Sequence, residues 1–444
     1  MLLKYIVSNF KSIGHPIEFS MLPAASHKDQ GFFKTLTTRA GDWKVLQRGG
    51  FFGPNASGKS SFIKSLAFAK SFIVNGQKCG KGTGINQFKG YFEDLSHTSV
   101  FQFMFYLDGE VYEYGFSLSR RQVHEEWLMI LTQDDMAPLF TRTTDENGKT
   151  QIDIESRLAR KNSKERRLAE TLKDSIGENQ KNQLFLYKLY DNGVAKAELI
   201  IKWFQNIQII FPDSTVKGLP LRLQQDHDFK TFLAESLRKM DTGVFNLTVV
   251  SDEIDFHEYA DKIDLPAEIV EEIEEIKSGI VSLNGKYFIF AENEISHTVM
   301  IQIKFEHHLN EKTISFNMED ESDGTQRLLD LLPILFVMKE NSQTIFFIDE
   351  IDRSLHTKLS QYLLNEFASN CHDTFNQIVF TAHDVNLIDL DKFGQDEIWF
   401  VEKNDLGESQ LRPLSDFHIQ KGQDALRAYL NGRFGAIPMI RGND

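Results

Sequence analysis

The side chains best able to do chemistry in this sequence cluster at one glycine-rich turn and at the ends of two apolar runs. Gly53-Pro54-Asn55-Ala56-Ser57-Gly58-Lys59-Ser60 has the spacing G-x-x-x-x-G-K-[ST], between a strand-like run at 45–52 and a helix-like run at 60–74. Glycines let such a loop curl until successive backbone amides face inward, an anion nest at a helix start. Asn55, Ala56, Ser57 and Gly58 would form the nest. Lys59 would reach β- and γ-phosphates, and the Ser60 hydroxyl would ligate Mg²⁺. A second run, residues 344–350, is apolar until it ends in Asp349-Glu350. At a strand end beside a phosphate loop, Asp349 can hold Mg²⁺ through water while Glu350 polarises the attacking water. A third run, 377–381, ends at Ala382-His383-Asp384, which makes His383 a candidate sensor of a γ-phosphate.

Lys59 and Asp349 stand 349 − 59 = 290 positions apart, far more than a small GTPase or kinase needs. Just before the acidic run comes Glu321-Ser322-Asp323-Gly324-Thr325-Gln326-Arg327, opening an apolar helix at 328–338. A serine and a glycine at a helix start form another phosphate-ready terminus, and equally a plain N-cap.

The elements that must position these groups read as α/β. Residues 2–10 and 17–21 suggest two short strands around Gly14-His15-Pro16, and alternating runs around Asp108-Gly109 suggest a hairpin. From about residue 156 the character changes. Residues 157–167 hold six basic side chains and one acid, helical patterns run to about 183 and from 194 to 240, and 252–277 carries eleven acids and two lysines. Strand-like segments return at 287–290 and 298–305. Three segments are therefore expected: an N-terminal lobe at 1–155, a mainly helical insertion at 156–283, and a C-terminal lobe at 284–444.

At 444 residues the chain is long for one core. With 41% hydrophobic and 25% charged residues, wholesale disorder is excluded, and 37 phenylalanines call for an aromatic core. A net charge of −15 argues against a uniformly basic surface for nucleic acid, though not against a local patch. Cys79 and Cys371 suit neither a disulfide framework nor a zinc site, and His297, His307 and His308 lack metal spacing. No apolar run approaches the ~18 residues of a membrane span, and the N-terminus lacks a signal peptide's basic start. A soluble, cytoplasmic protein is expected.

The order Asn9-Phe10-Lys11-Ser12 on a first strand, GPNASGKS, SDGTQ, FFIDEID and TAHD resembles the ABC-type ATPase heads of the RecF/SMC kind. The chain is most similar to the bacterial AAA ATPases of abortive infection, the AbiL-like proteins and the ATPase subunit of the PARIS anti-phage system. Segments specific to that group are Phe92-Glu93-Asp94, Tyr114-Gly115-Phe116-Ser117-Leu118, Asn182-Gln183-Leu184-Phe185-Leu186, Ser354-Leu355-His356, and the ending from Tyr429 to Pro438. The resemblance implies an ABC-type head that binds ATP and Mg²⁺, with Ser322 and Gly324 completing a neighbouring subunit's site in at least a dimer. There are departures. Ala56 replaces a glycine common in RecF-like loops and fits without strain only at negative φ. Asp323 adds negative charge near phosphate, and His356 stands where aspartate is usual. Gln87 is the best candidate for the Q-loop glutamine.

The function expected is ATP binding and slow hydrolysis by a sensor or scaffold of an anti-phage system. The chain carries no nuclease or protease constellation, so the toxic chemistry would belong to a separate effector such as a nuclease. Two alternatives stay open. One is a RecF/SMC-like ATPase acting on DNA; the other is a scaffold in which nucleotide is structural. Whether nucleic acid is bound is open in the sequence.

Overall fold

The computed structural model describes residues 1–24, 33–78, 81–89, 98–133, 135–145, 147–214, 218–274, 279–283, 286–290, 298–340, 343–371, 374–417 and 425–435. Cys79, His297, residues 92–94 and residues 436–438 lie outside them. The fold is mixed α/β and divides into two compact units: Met1–Pro212, Asn341–Asp352 and Ser360–Asp444, and then Asp213–Glu340 with Arg353–Leu359.

The first unit is built on two sheets. One has strand order Ile207–Ile210, Ile345–Ile348, Gln377–Ala382, Arg48–Phe52, Ile398–Lys403, Ser409–Pro413, all parallel except the last. The runs at 48–52, 345–348 and 377–382 are buried at every residue, as expected of parallel strands covered on both faces. The other sheet is antiparallel, in the order Thr150–Ile154, Met136–Thr144, Val123–Leu131, Glu110–Leu118, Ser99–Leu107, Leu2–Ser8, Ile17–Ser20. Its Asp108-Gly109 turn has φ of 50° and 83°, the two positive values that a two-residue hairpin of matching twist requires.

The helix Lys59–Asn75 contributes Phe62, Leu66, Phe72 and others to one continuous apolar core shared with both sheets. Phe62 lies edge-on to Tyr5, Phe19 and Phe51 at 4.9–5.8 Å, so the abundant phenylalanine forms an aromatic web around the first turn of this helix.

The units divide the chain differently from the three segments read from composition. Helices Lys164–Asn179, Phe185–Asp191 and Ala195–Gln205 belong to the first unit, where Trp203 stacks on Phe105 at 4.1 Å and Phe204 meets Phe103. Residues 207–210, inside a region that reads as helical, form a strand paired in parallel with Ile345–Ile348. The basic run thus marks a change of surface, while the apolar faces beneath it remain part of the head.

The second unit holds helices Leu219–Gln225, His227–Lys239, Phe256–Lys262, Ala267–Glu274 and Asp323–Lys339. It also has a five-stranded antiparallel sheet, in which Val244–Ile254, Thr298–Leu309, Lys286–Phe290 and Gly279–Leu283 are consecutive and Lys312–Asn317 pairs with Thr298–Leu309. It is therefore not purely helical. Among the described residues, no helix is long and apolar enough to cross a membrane.

Candidate nucleotide site at the carboxyl ends of the parallel strands

Three neighbouring parallel strands carry the candidate residues to one edge. Register pairs Ile348↔Phe380 and Ala382↔Phe52 bring the acidic turn, the histidine turn and the glycine loop out side by side. This is the place where open α/β sheets bind ligands.

The loop's glycines are required by space. A Cβ on Gly53 would stand 2.2 Å from the Val401 carbonyl oxygen, and one on Gly58, at φ 116°, 1.9 Å from Ser409 Oγ. Ala56 sits at φ 62°, so the condition for an unstrained alanine is not met and the loop holds a left-handed residue with a side chain.

Lys59 is 4% exposed. Its Nζ donates to the carbonyls of Gly53 at 2.6 Å and Pro54 at 3.1 Å, and lies 3.3 Å from His383 Nδ1. Among the described residues it makes no direct carboxylate pair. Burial pushes its pKa down to about 8, against the opposing pull of Asp352, Asp349 and Glu350. A buried ammonium held only by neutral acceptors is suited to an arriving phosphate. Because the ammonium can only donate, His383 Nδ1 accepts, and a neutral ring then carries its proton on Nε2, which faces Glu350 Oε1 at 3.5 Å.

Ser60 Oγ donates to Asp349 Oδ1 at 3.2 Å, and Asp349 is 2% exposed. A hydroxyl and a buried carboxylate side by side form a hard-oxygen donor set that fits Mg²⁺. Ser57 Oγ is buried inside the loop without a hydrogen-bond partner, a polar atom consistent with a site built for a ligand. A cavity of about 720 Å³ opens over these groups, lined by Asn55, Ala56, Gly58, Lys59, Glu350 and His383 among others.

The structure also brings in residues that motif spacing missed. Ser12 and Lys403 line the same cavity. Ser12 was expected on a strand, but the strand ends at Ser8 and Asn9 and Lys11 turn at φ 51° and 50°, delivering Ser12 to the loop. Ser409 ties the ends together: its hydroxyl donates to the Ser57 carbonyl at 2.7 Å and lies 2.8 Å from Ser12 Oγ, from which it accepts. Thr381 Oγ1 donates to Asp349 Oδ1 at 2.7 Å, and Asp352 accepts from the amides of His383 and Asp384. Only the strings TAHD and DEID hinted at the last two. Gln87 is not among the residues lining the cavity.

Ser322 and Gly324 belong to the second unit. Ser322 is the N-cap of helix Asp323–Lys339, accepting from the Thr325 amide at 3.2 Å, so the plain capping role is realised. A Cβ on Gly324 would meet the Ser354 carbonyl oxygen at 2.9 Å. Of the remaining candidates, His307 pairs with Glu321 at 2.6 Å, His308 packs on Phe245, and Cys371 is buried with its thiol pushed up to about 12. No group of three or more metal-ligating side chains occurs among the described residues.

A family model described as "AAA domain, putative AbiEii toxin, Type IV TA system" matches residues 50–389. Three solved structures are similar at low TM-score. The SMC head domain from Thermotoga maritima has 12% identity and TM-score 0.37, covering 94% of this chain and 99% of that one. An SmcHead bound to the C-winged helix domain of ScpA has 11% identity and TM-score 0.39, covering 93% and 97%. An Smc head with an extended coiled coil, bound to the C-terminal domain of ScpA derived from Pyrococcus furiosus, has 12% identity and TM-score 0.36, covering 93% and 96%. No curated protein matches the chain.

Proposed function

The chain belongs to the AAA_21 family, whose match spans the glycine loop, the acidic turn and His383, and from that premise we propose that it is an ATPase controlling a separate effector in anti-phage defence. The observation that carries the nucleotide reading is the meeting of Lys59, Ser60, Glu350 and His383 around one cavity at the ends of adjacent parallel strands, with Asp349 bonded to Ser60 behind it.

In this reading the amides of Asn55 to Gly58 and the Lys59 ammonium hold the phosphates. Ser60 and Asp349 hold Mg²⁺, which when bound offsets charge on the β- and γ-phosphates. Glu350 takes the proton of the attacking water. His383, bonded to both Lys59 and Glu350, relays the presence of a γ-phosphate to the base. Ser322 and Gly324 act on the nucleotide of a neighbouring copy, so the working unit is at least a dimer. The family description and the resemblance to AbiL-like and PARIS ATPases support the defence role, and a cytoplasmic location goes with it.

One observation favours a DNA-directed alternative. Arg157, Arg160, Lys161 and Lys164 are exposed and make no ion pair among the described residues, an unusual cluster on a chain of charge −15. Phosphate backbones and an acidic protein partner would both suit it.

Mixing separates these ideas. Lys59→Ala and Ser322→Arg chains should each lack turnover alone and regain about half the unaltered rate when combined as dimers that carry one intact composite site. Strictly monomeric protein with full activity over a wide concentration range rules the shared site out. Capture on Glu350→Gln protein with ATP should return a protein effector; recovery of DNA alone moves the reading to the alternative.

A further inference from the structure

The two turns bearing Glu350 and His383 leave the parallel sheet at adjacent points. The last ladder-like bond between them is Ile351 N to the Thr381 carbonyl at 3.0 Å. Beyond that bond the backbone ladder no longer fixes one turn against the other. The geometry points to a reciprocal side-chain clamp, Thr381 on one turn and Asp352 on the other, that sets the base and the histidine at working distance. Resting on the ATPase reading, this makes Thr381 and Asp352 positioning residues for hydrolysis.

Thr381 reaches from the histidine strand to the acidic turn. Its side chain is fully buried, its hydroxyl donates to Asp349 Oδ1 at 2.7 Å, and the same oxygen accepts from the Glu350 amide at 2.8 Å. One hydroxyl can do both, having one donor and two acceptor lone pairs. The second bond falls on a strained residue. Glu350 has φ 51°, a conformation that costs an L-residue roughly 1–2 kcal/mol and needs an external hold.

Asp352 reaches the other way. Its Oδ2 accepts from the amides of His383 at 2.8 Å and Asp384 at 2.6 Å, gripping the turn just where the ring departs. Its second oxygen is buried without a partner. A carboxylate left half-satisfied is unfavourable for stability alone. Its place at the foot of the histidine turn is explained by what it holds.

The same contacts explain why valine cannot replace Thr381, nor alanine Asp352. Valine matches threonine in shape but offers the Glu350 amide no acceptor. Alanine at 352 leaves two successive amides to find water. In either case the 3.5 Å approach of His383 to Glu350 loses its fixed base.

The test has two independent readouts. In nucleotide-free protein, amide exchange at Glu350 should quicken at least about tenfold in Thr381→Val, and exchange at His383 and Asp384 likewise in Asp352→Ala, since each loses a charge-assisted or buried bond. Exchange in strand Ile398–Lys403 should stay unchanged. In steady-state kinetics both variants should lose about tenfold or more in kcat with nucleotide Kd little altered, and Thr381→Ser should restore both readouts. Should Asp352→Ala not fold, Asp352→Asn gives a smaller change of the same sign. Unchanged exchange at 350, 383 and 384 in folded variants overturns the clamp, as does unaltered kcat in both. If the unaltered chain shows no Lys59-dependent turnover, the ATPase reading falls by itself, and the exchange rates still decide whether the clamp exists.

Discussion

Raising the pH should weaken nucleotide binding, because Lys59 starts from an unusual place. Burial holds its pKa near 8 in the free protein, so at pH 7 most molecules carry the ammonium and at pH 9 about one in ten does. Phosphates in contact would favour the charged form and return the pKa toward the ordinary lysine range. Binding must then take up about half a proton at pH 8 and close to one by pH 9. The apparent affinity should fall about tenfold between pH 7 and pH 9, about 1.4 kcal/mol. Calorimetry in two buffers of different ionisation enthalpy would count that proton directly. Lys59→Arg keeps a charge throughout this range, so whatever its absolute affinity, its pH dependence should be flat. The same shift acts on folding with the opposite sense. The unfolded chain binds more protons between about pH 8 and 10.5, so the Lys59 contribution to stability rises through that window. Affinity that is level from pH 7 to 9, with no proton uptake, would refute the picture of a buried lysine waiting for an anion.

Glu350→Gln should bind ATP with near-unaltered affinity and lose at least about a hundredfold in steady-state turnover; equal rates would remove Glu350 from the base role. Ala56→Gly should raise stability by about 0.5–1 kcal/mol by relieving the left-handed alanine, read as a higher denaturant midpoint with unchanged slope. A lower midpoint would mean that the φ of 62° is not a strain on this loop. Arg48 and Glu397, 4% and 0% exposed and 2.8 Å apart, anchor the strand that feeds the glycine loop. Arg48→Met takes the guanidinium away from a buried carboxylate and should cost about 3 kcal/mol in urea unfolding; a loss below about 1 kcal/mol would show the pair to be dispensable.

The residue types that meet phosphate were legible in order and spacing alone. A glycine loop between strand and helix, an apolar run ending in two acids and another ending in histidine each state local chemistry, because the requirement is local: amides at a helix start, carboxylates at a strand end. The Asp108-Gly109 hairpin was legible for the same reason, its two positive φ values being a property of two residues. What belongs to which unit was not. Composition changes at residue 156, yet helices 164–179, 185–191 and 195–205 join the first core, because an amphipathic helix shows its charges in the sequence while its partner surface lies far along the chain. Strand Ile207–Ile210 was hidden inside an apolar stretch that suits a helix equally well, and only pairing with Ile345–Ile348 decides it. The working distances are likewise tertiary. Ser12, Asp352 and Thr381 stand inside quoted motifs and Lys403 in none, but no residue type or spacing assigns them a contact; that is decided where the folded chain brings the strand ends and the Ser12 turn together. The left-handed backbone at Ala56 and Glu350 is of the same kind, since the surrounding loop and sheet impose a conformation that neither residue would choose alone.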